Sequence, residues 1–248
     1  MSSPIWLERY REGQRAQVWD EMLQLGGAIR RIDLFAEAQL VCDEMAHRAR
    51  NNIELIVARL AKDGYRFHSN DDRQASETPY VPPTAAAGDH ERWLDQRFGP
   101  VPMTLGSWVR LVGDVWLVGT HPRWTASASA DPLVIEVEGS RYPDASIRDH
   151  FEEEWSAWHD WSAEEPNAGP FTLPLAPDRL HKANVSGGEP YGIVVPDTSV
   201  DGQFVGETTE PFVSYLNEVF RNGGFRRLTG SEGEVTVKAA LAEGLLEL

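Results

Sequence analysis

Cysteine is nearly absent: Cys42 is the only one in 248 residues, which excludes an internal disulfide framework. It sits in a helical apolar pattern, where a lone cysteine acts as a small hydrophobe rather than as a nucleophile. Histidine is scattered. His47, His68, His90, His121, His150, His159 and His181 contain no pair spaced to set two metal ligands on one helix face. His150 and His159 would lie about 180° apart around a helix. No metal and no cofactor is expected. No stretch reaches the ~18 apolar residues of a membrane span. Residues 2–12, SSPIWLERYRE, lack the apolar centre of a signal peptide. A cytoplasmic protein without membrane contact is the expectation.

Positive charge is scarce in one half only. Residues 1–70 carry 10 acids and 10 bases, residues 71–130 carry 7 and 5, and residues 131–248 carry 22 and 8. The last stretch therefore holds −14 of the chain's −16. That density repels nucleic acid and anionic membrane and attracts a basic partner, with on-rates that fall as salt rises. What is present is otherwise ordinary for a globular chain, with 41% hydrophobic and 25% charged residues. Nine tryptophans supply large anchors for core or interface.

Residues 1–67 read as a helical region. Ser3-Pro4 suits a helix start, and a second helix over 14–25 places Ala16, Trp19, Met22 and Leu23 on one face before Gly26-Gly27 end it. A long third helix, capped by Asp33 and stopped by Gly64, carries Leu34, Ala38, Val41, Met45, Ala49, Ile53, Ile56 and Leu60 as one stripe of about seven turns. Residues 68–88 are polar and proline-bearing and read as a linker or long loop. In 89–248, Asp89 caps a short helix over 90–98. Residues 107–112 and 115–119 read as two strands around a Gly113-Asp114 turn, with further strands over 132–137 and 192–195. Helices are expected over 149–165, over 210–222 with Pro211 in the first turn, and over 235–248. Helices first, then strands without a βαβ rhythm, describe an α+β fold with a mainly antiparallel sheet flanked by helices.

Two segments carry candidate chemistry. The run Asn184 to Tyr191 follows His181 and Lys182, and its Ser186-Gly187-Gly188 has the small residues of a phosphate-cradling loop. Such loops need a strand before and a helix after, whereas Pro190 and a β-like segment follow here, which favours a tight turn. The Gly-x-Ser-x-Gly nucleophile turn is absent. The second segment is 149–165, where Trp155, Trp158 and Trp161 interleave with seven acids in 17 residues. Paired carboxylates serve acid–base catalysis only in differently biased environments of one cleft, and a consecutive Glu run is also what a solvated helix face looks like. Phe151, Trp155 and Trp158 share one face at 100° per residue, and Trp161 drifts to its edge. An aromatic ringed by carboxylates is a docking surface for a Lys/Arg-rich partner. The candidate binding residues are Glu152, Glu153, Glu154, Trp158, Asp160 and Trp161.

LAPDRLHKANVSGGEPYGIVVPD (175–197), followed by EPFVSYLNEVFRNGGF (210–225) and taken with LDQRFGPVPMTLGSWVRLVGDVWLVGT (94–120), is similar to the SUKH superfamily (Smi/Knr-like). The likeness covers about residues 89–228; the helical segment 1–66 and the long segment 149–165 lie outside the family's usual core. It implies a short helix, a proline step, a strand pair and a C-terminal helix closing an α+β sheet. It also implies a non-enzymatic immunity protein that binds and neutralises a toxin, often a nuclease. The leading expectation is a binding protein for a basic partner. The alternatives are an enzyme, a small-molecule or nucleotide-binding hydrolase using His181, Lys182 and the Ser186-Gly187-Gly188 turn, and a scaffold that self-associates through the N-terminal helices.

Overall fold

The computed structural model describes residues 5–139, 146–165 and 167–248. The Ser3-Pro4 helix start lies outside the described residues. The chain opens with α1 (Trp6–Arg11), α2 (Arg15–Gln24), a 3-10 turn (Gly26–Arg30) and α3 (Phe35–Lys62). Short strands β1 (Arg66–Phe67) and β2 (Tyr80–Val81) precede α4 (Ala87–Phe98) and α5 (Met103–Leu111). Then come β3 (Asp114–Trp116), β4 (Gly119–Thr120), a 3-10 turn (Ser127–Ala130), β5 (Val134–Ile135) and α6 (Ile147–Glu164). The chain continues through β6 (Phe171–Ala176), α7 (Arg179–Lys182), β7 (Tyr191–Val195), β8 (Gln203–Val205) and β9 (Thr209–Pro211) to α8 (Phe212–Arg221) and α9 (Glu234–Ala242). All strand pairs are antiparallel, in the orders β1-β4, β2-β3-β5 and β6-β7-β8-β9. The Glu136 amide donates to the Leu175 carbonyl at 2.8 Å and joins the β5 region to β6. The fold is α+β, helices flanking antiparallel sheets.

The stripe of α3 is buried as its spacing requires: Ala38, Val41, Met45, Ala49, Ile53, Ile56 and Leu60 are inside, with Cys42, Ala46 and Asn52 beside them. This helix and the sheet share one apolar cluster. Gly224, in the turn after α8, packs between them. It holds φ +94°, and a Cβ there would meet Leu117 at 2.9 Å and Ile56 at 3.2 Å. Two expected helix caps are replaced. Asp33 pairs with Arg31 at 2.8 Å instead of capping, and Leu34 stands at the α3 N-cap. Asp89 lies inside the first turn of α4, where its charge faces the helix's positive end. In α2 the inward residues are Val18, Trp19 and Met22, while Ala16 is exposed.

The expected strand over 107–112 is a helix. Met103 to Val109 are all buried in α5, and a helix buried on every side shows no polar face to reveal its 3.6-residue period. Leu105, Trp108, Val109 and Val112 nonetheless keep helical spacing, and Gly113 at φ +88° ends the helix before β3 rather than turning a hairpin. Asp43 of α3 accepts from Ser107 at 2.7 Å and from Arg110 at 3.0 Å, and Arg110 also pairs with Glu91 of α4 at 2.8 Å. Those bonds fix α5 between its neighbours. Pro211 is the N-cap of α8 rather than part of its first turn, and α9 ends at Ala242, six residues before Leu248. Strand β6 was not foreseen because Pro174 interrupts its pattern; the ladder is irregular between Pro174 and Ala176.

Asp201 ties two helices to the sheet. Its buried carboxylate accepts the Thr104 hydroxyl at 2.9 Å and the Val213 amide, in the first turn of α8, at 3.1 Å. Burial pushes its pKa up to about 7 against the opposing effect of those donors. The folded state thus holds this proton more tightly than the unfolded chain, so the group's contribution is most favourable at low pH and is lost as pH rises through about 7. Asp201→Asn should gain stability relative to wild type by on the order of 4 kcal/mol between about pH 4 and about pH 8. Urea unfolding of both proteins across that range tests it, and parallel stability curves would refute it.

Candidate functional site

The acid- and tryptophan-rich segment forms α6, a long helix with few buried residues. Ser146 and Asp149 make a reciprocal capping box at its start, which satisfies amides that the first turn leaves unpaired. Only Ile147 and Phe151 are buried. Beyond them, Trp155 meets Phe171 of β6 edge-to-face at 5.0 Å and Phe98 of α4 at 5.5 Å. Trp158 packs 5.7 Å from Phe171, and its indole Nε1 donates to the Gly169 carbonyl at 3.2 Å. Trp158 is therefore half-buried against the sheet.

The six candidate residues separate into two groups. Arg97 of α4 donates to both Glu152 oxygens at 2.7 Å, and its guanidinium stacks over Trp155 and Phe98 at 5.5 Å. Glu152 thus fastens α6 to α4 and is not free anionic surface. Glu153 and Asp160 are exposed, Glu154 is half-buried, and Trp161 is 53% exposed. Glu164 and Glu165 extend the exposed set, and the last turn contains no basic residue. Among the described residues, none of Glu153, Glu154, Asp160, Glu164 and Glu165 has an ion pair. Asp160 and Glu164 are one turn apart, and both lie near the end of the helix where unpaired carbonyls are already negative. This arrangement costs the helix stability, and a cation placed there relieves it.

Much of the rest of the acidic half is internally matched, although Glu189, Glu232 and Glu243 stand exposed. Glu207 binds Arg179 at 2.9 Å and also Arg227. Arg226 holds Glu210 at 2.6 Å and Glu218 at 3.1 Å. Glu234 accepts the Thr229 amide at 2.8 Å and pairs with Lys238 at 3.3 Å. The unmatched charge of residues 131–248 is accordingly densest on α6.

The glycine turn is also occupied from within. Asp178 caps α7 by accepting the His181 amide at 2.9 Å, accepts the Gly188 amide at 2.9 Å, and lies 2.6 Å from His181 Nδ1. Burial would raise the Asp178 pKa, but the Gly188 and His181 donors outweigh it and hold the carboxyl below its usual range. The Gly187 amide faces His181 Nε2 at 3.4 Å, and a Cβ at Gly187 would run into Asp178. Lys182 points inward, away from Ser186. Its ammonium meets Asp131 at 2.7 Å with both side chains 0% exposed, and lies 4.7 Å from the Tyr191 ring centroid. Two of the sequence's candidate groups therefore build the turn itself. The Asp131–Lys182 pair was not foreseen: its partners are 51 residues apart, and neither sits in a local pattern.

Among the described residues, no group of three or more His, Cys, Asp or Glu could hold a metal ion, and no helix is long and apolar enough to cross a membrane. Comparisons with protein-family models, with curated proteins and with solved structures return no match. The likeness to the SUKH superfamily rests on the three quoted segments alone.

The enclosed pair has a sharp energetic signature. Lys182→Met leaves Asp131 charged and unpaired, and should cost about 3–5 kcal/mol. Adding Asp131→Asn, which tolerates the left-handed backbone at that position (φ +56°), should recover most of the loss. Urea midpoints of the two single variants and the double variant measure it; additive losses would refute the pairing.

Proposed function

We propose that this protein acts by binding, in the cytoplasm, and presents the outer face of α6 to a basic protein partner. The observation that carries the reading is Trp161, exposed on a helix end whose neighbouring carboxylates have no internal cation. A Lys or Arg arriving there meets a ring face, at least two carboxylates and the negative end of a helix together. Encounter is steered by long-range charge, and Trp161 serves as the aromatic anchor of the complex. The likeness to the SUKH superfamily suggests the partner's class, a toxin of nuclease type, whose nucleic-acid-binding surface is basic by necessity. In that role the protein would serve as an immunity protein that covers the toxin's cationic surface and performs no chemistry.

The nucleotide-binding alternative has less to support it. Its lysine is enclosed with Asp131, and its glycine amides already have acceptors. Self-association through α3 is likewise less favoured, since the apolar stripe that would pair two copies is buried inside one.

The tagged full chain, used as bait in its host's lysate beside a Glu153→Lys/Asp160→Lys/Glu164→Lys variant, tests the proposal. A basic protein retained at low salt, released at high salt and lost from the variant is the expected result. Its association with wild type should be faster than with the variant by about tenfold or more at low salt. Trp161→Ala should leave the on-rate nearly unchanged and speed dissociation. Identical partners and rates for wild type and charge-reversed bait would remove α6 from the account.

A further inference from the structure

The last residues of the chain leave α9 through Gly244, at φ +67°, and cross from α3 to α8 without helix or strand pairing. Two asparagine side chains hold them. Asn52 of α3 donates to the Leu246 carbonyl at 2.8 Å and accepts the Leu246 amide at 2.7 Å. Asn217 of α8 donates to the Leu248 carbonyl at 3.3 Å and accepts the Leu248 amide at 2.9 Å. A carboxamide that exchanges both bonds with one residue reproduces what a neighbouring strand does in an antiparallel ladder. Residues i and i+2 of an extended chain turn their amides and carbonyls to the same side, so one asparagine per alternate residue grips a strand by its backbone alone. Such a grip is indifferent to side chains.

Side-chain preference comes from the surroundings. Leu248 is 1% exposed, and Leu245 packs against the core. Between them, Glu247 lies 3.2 Å from Arg221 and 3.9 Å from Arg15, while Arg48 reaches its carbonyl at 3.4 Å. Leu246 is 38% exposed, with shallow depressions of about 260 Å³ on the α8 side and about 420 Å³ on the α3 side. Open surface therefore flanks the segment on both sides. Main-chain hydrogen bonds with alternate side-chain preferences are the elements of peptide recognition by strand addition.

We infer that the α3–α8 groove is a peptide-binding site, closed by this chain's own residues 245–248, whose ligand in trans is an extended peptide of apolar–acidic–apolar pattern. The resident segment competes at the millimolar effective concentration of a short tether, so the groove opens to ligands only when that segment is released. Gly244 supplies the hinge. This surface is separate from α6, and the two proposals stand or fall independently.

The probe is a fluorescein-labelled peptide of sequence Gly-Leu-Leu-Glu-Leu, titrated by polarisation into the full chain. Loosening the resident segment with Leu246→Ser/Leu248→Ser should raise probe affinity at least tenfold over wild type. Adding Asn52→Ala to the loosened chain should abolish that gain, and a probe with Lys in place of Glu should bind more weakly than the original. Absence of binding to the folded, loosened chain, or binding that survives Asn52→Ala unchanged, would overturn the inference. Amide hydrogen exchange on wild type gives a test that needs no variant. Excess unlabelled peptide should speed exchange at Leu246 and Leu248 while α3 and α8 stay protected. Exchange at those two amides only through global unfolding would make the segment a fixed part of the core and end the proposal.

Discussion

The burial of α3 is the constraint on which the remaining structure depends. A helix of 28 residues with ten buried positions cannot remain in water without covering that stripe. Helices α1, α5 and α9 cover it from different sides, and the Gly224 turn reaches it from the sheet. Large-to-small changes along such a stripe typically cost 2–5 kcal/mol each, a large share of an ordinary domain's whole stability. The polar ties serve this packing. Asp43 fixes the angle of α5, and Asn52, itself buried on α3, has both its donor and its acceptor met by one backbone residue.

What could be read in the sequence followed from local periodicity. The stripe of α3 and the outward drift of Trp161 are consequences of the 3.6-residue repeat, and the strand at Tyr191 to Val195 of an apolar run closed by Pro196. Where the repeat was masked the reading failed. Helix α5 is buried all round, and β6 contains a proline. Partners distant in the chain lay beyond any local pattern: Glu152 finds Arg97 across 55 residues, and Lys182 finds Asp131 across 51. Half of the candidate surface was thus legible, the half set by position around one helix.

The distribution of charge looks different once folded. In the chain, the acidic half is uniformly rich in carboxylates. In the structure, most of its arginines and both of its lysines are matched to carboxylates, and backbone amides hold Asp178. Pairing does not abolish the charge excess; it moves the excess to where no arginine is near. A helix whose last turn contains acids and no base is less stable than it could be, and natural helices usually avoid that arrangement. The helix rests on Phe98 and Phe171 through Trp155, and the acids of its last turn face solvent.

The burial of lysine has a consequence for chemistry from outside. The chain has three lysines, Lys62, Lys182 and Lys238; the second and third are 1% and 4% exposed, while Lys62 stands in solvent at the end of α3. Cys42 is enclosed. The native molecule therefore offers acylating enzymes and amine-directed reagents one side-chain target, and thiol-directed reagents none. Among side-chain amines, conjugation is directed to Lys62 alone, and acylation of Lys182 would record, permanently, that its enclosure with Asp131 had opened.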